Sequence, residues 1–306
     1  MAREAGVLSR RGRASRGLLT GYGLAIYVFL FAPIVLLVLF SFNANQYGSF
    51  PITGWTTNWY SQAFGDPDIQ DALRTTLKVA AWVTLISVVL GTAAAFPLVR
   101  AGLRFPAGFR VAMTLPIMIP GILIGISLLI LFRQALHITL SPTSTCCGWF
   151  LPGTAVIGQS LYTTPFVLLL VAARLEGFDR YLERAASDLG ANAFNRLRLV
   201  VLPLIFPAIL AGALFAFTLS FDEFVITYFI IGGYNTLPIY IYTQIKYGIT
   251  PEVNALASLV LITSILLFSL AFVLPPAFRL ARRAARLLRG RRQLQPAAEP
   301  ASATEF

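Results

Sequence analysis

Two adjacent carboxylates, Asp222 and Glu223, stand inside an otherwise apolar run, TLSFDEFVITYF. A charged side chain at the bilayer centre costs about 2.5–3.5 kcal/mol on insertion scales, so an acid found there marks a pathway or a pair. In a low-dielectric cavity such groups attract ammonium ions. Tyr228, or an aromatic of the upstream loop such as Trp55, can add a cation–π face. The chemistry is recognition of a cation. Read as one continuous helix from Leu204, the segment lifts Asp222 by about 27 Å, toward the outer side of the membrane. Neighbouring helical positions point about 100° apart, so one acid faces the pathway while the other meets a neighbouring helix or subunit. The competing reading is a structural ion pair with another chain. Within this chain no lysine or arginine is an evident partner at that depth, although Lys78 could reach.

No grouping elsewhere has the spacing of a catalytic or metal site. His137 is the only histidine, and Cys146 and Cys147 are adjacent, which is neither a metal spacing nor a disulfide framework. A P-loop needs Gly-Lys-Ser/Thr. The two lysines, Lys78 and Lys246, follow Leu77 and Ile245, so this polypeptide is not an ATPase of that kind. We expect no enzyme activity and no cofactor, and active transport would need an energy source on another chain.

The elements that position these residues are membrane spans. The chain is 57% hydrophobic and only 12% charged, with mean hydropathy +0.74. A soluble domain of 306 residues could not cover its surface with so little charge. A helical span needs about 20 apolar residues. Six blocks qualify, at about 18–42, 76–99, 111–132, 154–173, 204–231 and 255–278. The expected fold is all-α, a polytopic membrane protein with six transmembrane helices. The net charge of +11 does not indicate nucleic acid, because of where it falls. With the N terminus inside, twenty of the 24 basic residues are cytoplasmic and Arg74, Lys78, Arg133 and Lys246 are outside, a strong positive-inside bias that makes both termini cytoplasmic. The chain then divides into a basic N-terminal tail (1–17), a transmembrane domain (18–278) and a C-terminal tail (279–306), basic at first and then disordered in composition. The C-terminal arginines can also meet anionic lipid headgroups. In the third span Pro116, Pro120 and Gly121 call for a bend or local unwinding. Trp and Tyr of the first outside loop, about 43–75, suit an interfacial belt.

Between spans four and five lies an insert, about 177–203, that a membrane fold does not itself require. Leu182, Ala185, Ala186 and Leu189 share one side of a short helix. Gly190 is placed to end that helix, Asn192 to cap the next, and Pro203 to open span five. An amphipathic helix on the inner leaflet is the alternative.

The run Arg184–Pro203 resembles the "EAA" loop of ATP-binding cassette importer permeases, a pattern of E-A-A, three residues, G, nine residues and I-x-L-P. Ala185, Ala186, Gly190, Leu202 and Pro203 match at the family's spacing, with Val200 in a conservative replacement. Arg184 occupies the motif's glutamate position, and Glu183 precedes it. Three further stretches, SFNANQYGSFPITGWTTNWY, TLSFDEF and PEVNALAS, look like the spermidine/putrescine importer permease subfamily. The resemblance implies a permease of the bacterial cytoplasmic (inner) membrane. It implies a cytoplasmic ATPase dimer docked on Glu183, Arg184, Ala185, Ala186, Asp188, Leu189 and Gly190. A second permease subunit and an extracytoplasmic substrate-binding protein complete the machine. Polyamines are the expected substrate, with another amine, an opine or an aminophosphonate as the alternative. A channel would need a visible filter, and a secondary carrier mid-membrane coupling groups and often a repeat.

Overall fold

The computed structural model describes residues 2–45, 50–100, 105–142, 153–248, 251–266 and 269, with backbone alone for 2–17, 106 and 247. The cysteine pair, the later part of the last apolar block and the 279–306 tail lie outside these residues. In chain order the helices are α1 (Ala2–Phe40), α2 (Asn58–Gly65), α3 (Pro67–Arg100), α4 (Pro106–Met118), α5 (Gly121–Ile130), α6 (Thr154–Glu176), α7 (Tyr181–Asp188), α8 (Ala193–Arg196), α9 (Leu202–Phe221), α10 (Val225–Ile230), α11 (Leu237–Tyr247) and α12 (Pro251–Leu266). Among the described residues no strand forms beyond a single bridge between Asn43 and Trp55.

Among the described residues four helical runs are long and apolar enough to cross a membrane: 18–40, α3, α6, and 193–221, in which α8, a π turn and α9 are continuous. The third expected span is there but in two pieces. α4 and α5 meet at 94°, because Pro120 has no N–H to donate and its extended backbone (ψ 130°) cannot continue a helix. The fifth expected span is also broken, at Asp222–Phe224, and this is a correction to the continuous helix read from its apolar run. α12 includes residues 255–266 of the sixth block.

The chain forms two compact units, Met1–Arg74 with Asn235–Thr263, and Thr75–Tyr234 with Ser264–Phe306. In the first, the loop after α1 is tied on Asn43, which is fully buried. Its carbonyl accepts from the Trp59 indole at 2.8 Å, and its side-chain oxygen accepts from the N–H groups of Asn45 and Thr53. The hydroxyls of Tyr60 and Ser41 are 2.7 Å apart. Trp59 and Tyr60 therefore hydrogen-bond within the loop, in addition to any interfacial role. Tyr240 donates to Asp66 at 3.1 Å. Burial first, then the Asp66 charge, pushes its pKa up to about 12. The same two causes raise Glu252. A carboxyl whose folded pKa exceeds its unfolded one favours folding most at low pH, and that contribution is lost as pH rises through the folded value. Glu252→Gln is thus expected to raise the midpoint of thermal unfolding near neutrality and to flatten its rise on acidification, measured on the purified chain across the acid range.

The second unit is built on α6. Val167, Leu168, Val171 and Leu175 are fully buried against Ala95 and Leu98 of α3 and Ile205 and Ala216 of α9. Ser87, Gly91 and Ala95 recur every fourth residue on α3. This stripe lets α3 approach α6 until a Cβ on Gly91 would lie 2.9 Å from the Leu168 nitrogen and 3.0 Å from the Thr164 carbonyl. The Ser87 and Thr163 hydroxyls meet there at 2.6 Å. A second cluster joins Ile124 of α5 to Ile226 and Ile230 of α10.

Candidate functional site

The two broken spans face each other across a cavity of about 590 Å³, within the range of small-molecule sites. Ile119, Pro120 and Gly121 contribute the α4–α5 break, and residues 222–226 the α9–α10 break, with Tyr162 and Phe215 between. Both acids line it. They are not successive positions on one helix, and the break gives them different surroundings.

Asp222 is the C-cap of α9. It is exposed, and its Oδ1 accepts from the Ser264 hydroxyl of α12 at 2.8 Å. The carbonyl end of a helix carries partial negative charge, so α9 and the Asp222 carboxylate together favour a cation. Glu223 is half-buried and turned onto α10. Its Oε1 accepts from the Ile226 N–H at 2.7 Å, and its Oε2 from the Thr227 N–H at 2.9 Å and from the Thr227 hydroxyl. It supplies acceptors for N–H groups that the first turn of a helix leaves unpaired. The contact imagined for Lys78 is not made, whereas Arg74 pairs with Asp71, Arg100 with Glu183 and Arg110 with Glu176. Tyr228 is exposed on α10, its ring 5.4 Å from Phe224 and 5.6 Å from Phe229, and it is not among the residues lining the cavity. Trp55 belongs to the other unit and is 67% exposed.

Three buried polar residues had no part in the reading of the sequence: Gln159, Ser220 and Thr227. The Gln159 amide donates to the Thr227 hydroxyl at 2.6 Å and accepts from the Ser220 hydroxyl. A glutamine inside an apolar span was the available signal, since a buried polar group needs partners.

In the insert, the Asp179 carboxylate accepts from the Tyr181 N–H at 2.9 Å and opens α7. The helix ends in a Schellman turn: Ala191 N–H donates to Ala186 and Gly190 N–H to Ser187, at 3.0 and 2.9 Å, with Gly190 at φ +83°. Asn192 then caps α8 through the Asn195 N–H at 2.8 Å. Arg196 reaches back to the Ser187 hydroxyl at 2.8 Å. Glu183 is paired inward with Arg100 at 2.7 Å, and Arg180 donates to the Val99 carbonyl. Arg184 turns outward, 5.6 Å from the centroid of the Tyr181 ring. Leu182, Ala185, Asp188 and Gly190 are exposed, Leu189 is 90% exposed and Ala186 is half-buried. The result is a small apolar knob on α7, joined by the turn at Gly190 to a separate helix that runs from α8 through the π turn Leu197–Val201 directly into α9.

Residues 87–280, more than half of the chain, match the family described as "Binding-protein-dependent transport system inner membrane component". The chain is 37% identical over 242 residues to the putrescine transport system permease protein PotI of Escherichia coli (strain K12), covering 77% of this chain and 82% of that one. It is 36% identical over 257 residues to the spermidine/putrescine transport system permease protein PotC of the same strain, covering 84% and 92%. Its fold is similar to a chain of a bacterial alginate ABC transporter solved with its alginate-bound periplasmic protein, at TM-score 0.62 and 14% identity over 86% of this chain and 93% of that one.

Proposed function

This chain belongs to the binding-protein-dependent transport system inner membrane components, and from that premise we propose that it is a permease subunit of an ATP-driven importer of polyamines. The observation that carries the substrate is its likeness to two polyamine permeases over most of either chain. In this reading an extracytoplasmic binding protein delivers a spermidine- or putrescine-like cation. A second permease completes the pathway, and a cytoplasmic ATPase dimer docks on the insert around Glu183–Gly190. The chain contributes no chemical step of its own. The α7 knob receives the ATPase's movement, and the helix continuous from α8 to α9 carries it to the break at Asp222. The cavity there offers a carboxylate, a helix carbonyl end and aromatic walls, a set that suits an ammonium group carried on an apolar chain.

The test is uptake of radiolabelled spermidine and putrescine in cells with and without this chain, its partner subunits present. Loss of uptake on removal is expected, and unchanged uptake would move the substrate to another amine, an opine or an aminophosphonate. Asp222→Asn, in complexes that still assemble, is expected to lower uptake at limiting polyamine by about tenfold or more, since it removes the charge and leaves the shape. Normal uptake by both Asp222→Asn and Glu223→Gln would sink the pathway role.

A further inference from the structure

We infer that Gln159 is a positioning residue for the carboxylate pair: it ties the two sides of the α9–α10 break together and holds Glu223 in the wall, so that Asp222 is the carboxylate presented to a cation. The inference rests on the importer reading for its transport consequences and on geometry for the tie itself.

Gln159 lies on α6 and is 1% exposed. Both ends of its amide are used, and they are used on opposite sides of the break. Ser220 is in the last turn of α9 and Thr227 in the first turn of α10, with Asp222–Phe224 between them. Proline is absent from this stretch, so the interruption is not imposed by a missing N–H. Side chains stabilise it instead. The donors run in one direction: Ser220 hydroxyl to Gln159 oxygen, Gln159 nitrogen to Thr227 hydroxyl, Thr227 hydroxyl to Glu223. With the Ile226 and Thr227 N–H groups added, Glu223 accepts three hydrogen bonds, all from α10. A carboxylate so engaged is a poor partner for a passing ligand, because the ligand would have to displace donors that a helix terminus cannot easily replace. Asp222 accepts one hydroxyl, from Ser264, and stays exposed beside the cavity. The two neighbouring acids therefore divide between a cap and a contact, and the buried amide on α6 maintains the division.

The decisive experiment compares Gln159→Leu, Thr227→Val, Thr227→Ser and the double variant Gln159→Leu/Thr227→Val in the assembled complex, by amide hydrogen exchange and by uptake kinetics. Exchange in peptides covering 221–230 is expected to quicken about tenfold or more in Gln159→Leu and in Thr227→Val, with peptides covering 181–190 unchanged. Thr227→Ser restores the hydroxyl and is expected to restore protection. The double variant is expected to be no worse than either single one, because both cut the same row. In uptake, Gln159→Leu and Thr227→Val are expected to lower the maximal rate with little change in KM, whereas Asp222→Asn raises KM. Unchanged exchange at 221–230, or additive effects in the double variant, would overturn the tie. A KM rise in Gln159→Leu as large as that of Asp222→Asn would overturn the division of roles. A wild-type complex that takes up no polyamine would instead overturn the substrate, while the exchange measurement still decides the tie.

Discussion

Gly190→Leu is expected to insert in the membrane as the wild type does and to lose its ATPase. The glycine sits at φ +83°, and an ideal Cβ there meets nothing within 4 Å, so bulk is not the difficulty. The difficulty is conformation, since a left-handed residue other than glycine costs about 1–2 kcal/mol. The chain escapes that strain by opening the Schellman turn, which releases the Ala186 and Ser187 carbonyls and swings Leu189 out of register with Ala185. An exposed docking surface depends on such register. Co-purification of the ATPase with the variant, at a membrane yield equal to wild type, checks the prediction. Gly190→Asn is the control, because asparagine tolerates the left-handed region, and it is expected to retain most of the partner. A leucine variant that keeps its ATPase and transports normally would refute the role of the turn.

A larger loss is expected from Gly91→Leu, this time of the fold itself. A Cβ at Gly91 would be 2.8 Å from the Val167 Cβ, and beyond it lie backbone atoms of Leu168 and Thr164, which cannot swing aside as a side-chain tip can. Overpacking of a filled core costs about 1–3 kcal/mol, and more where the backbone must move. Separating α3 from α6 also breaks the Ser87–Thr163 hydroxyl contact and exposes the buried Leu168 and Val171. The variant is expected to yield little monodisperse complex in detergent, with Gly91→Ala intermediate. A Gly91→Leu complex that melts within a few degrees of wild type would show that the two helices can part without harm.

How much of this could be read beforehand varied with the kind of cause. Gly190 and Asn192 announced the turn of the insert, because a helix stop and a helix cap are local events with their own residue types. Pro116 and Pro120 announced the bend in the third span, though not its 94°. The break at Asp222–Phe224 was hidden. Nothing in SFDEFVITYF interrupts a helix by itself, and the groups that stabilise the interruption include Gln159, some sixty residues away in the chain. For the same reason the sequence divided the two acids between pathway and neighbour without telling which was which, until Glu223 was seen to cap α10. Gly91 was hidden too, since a glycine within a helix signals a close approach only once the neighbouring helix is in place. The inward pairing of Glu183 with Arg100 likewise joins elements far apart in sequence.

A membrane that stores energy as a proton gradient is drained by any continuous file of exchangeable protons. The row from Ser220 to Glu223 is a short local stretch, and it could form a link of such a file only if its second member were a hydroxyl, a carboxyl or a water. It is a carboxamide, whose nitrogen carries two protons and accepts none. Relay therefore stops at Gln159. The same side chain that joins the two helices therefore passes no proton between Ser220 and Glu223, so the tie is mechanical without being a proton wire.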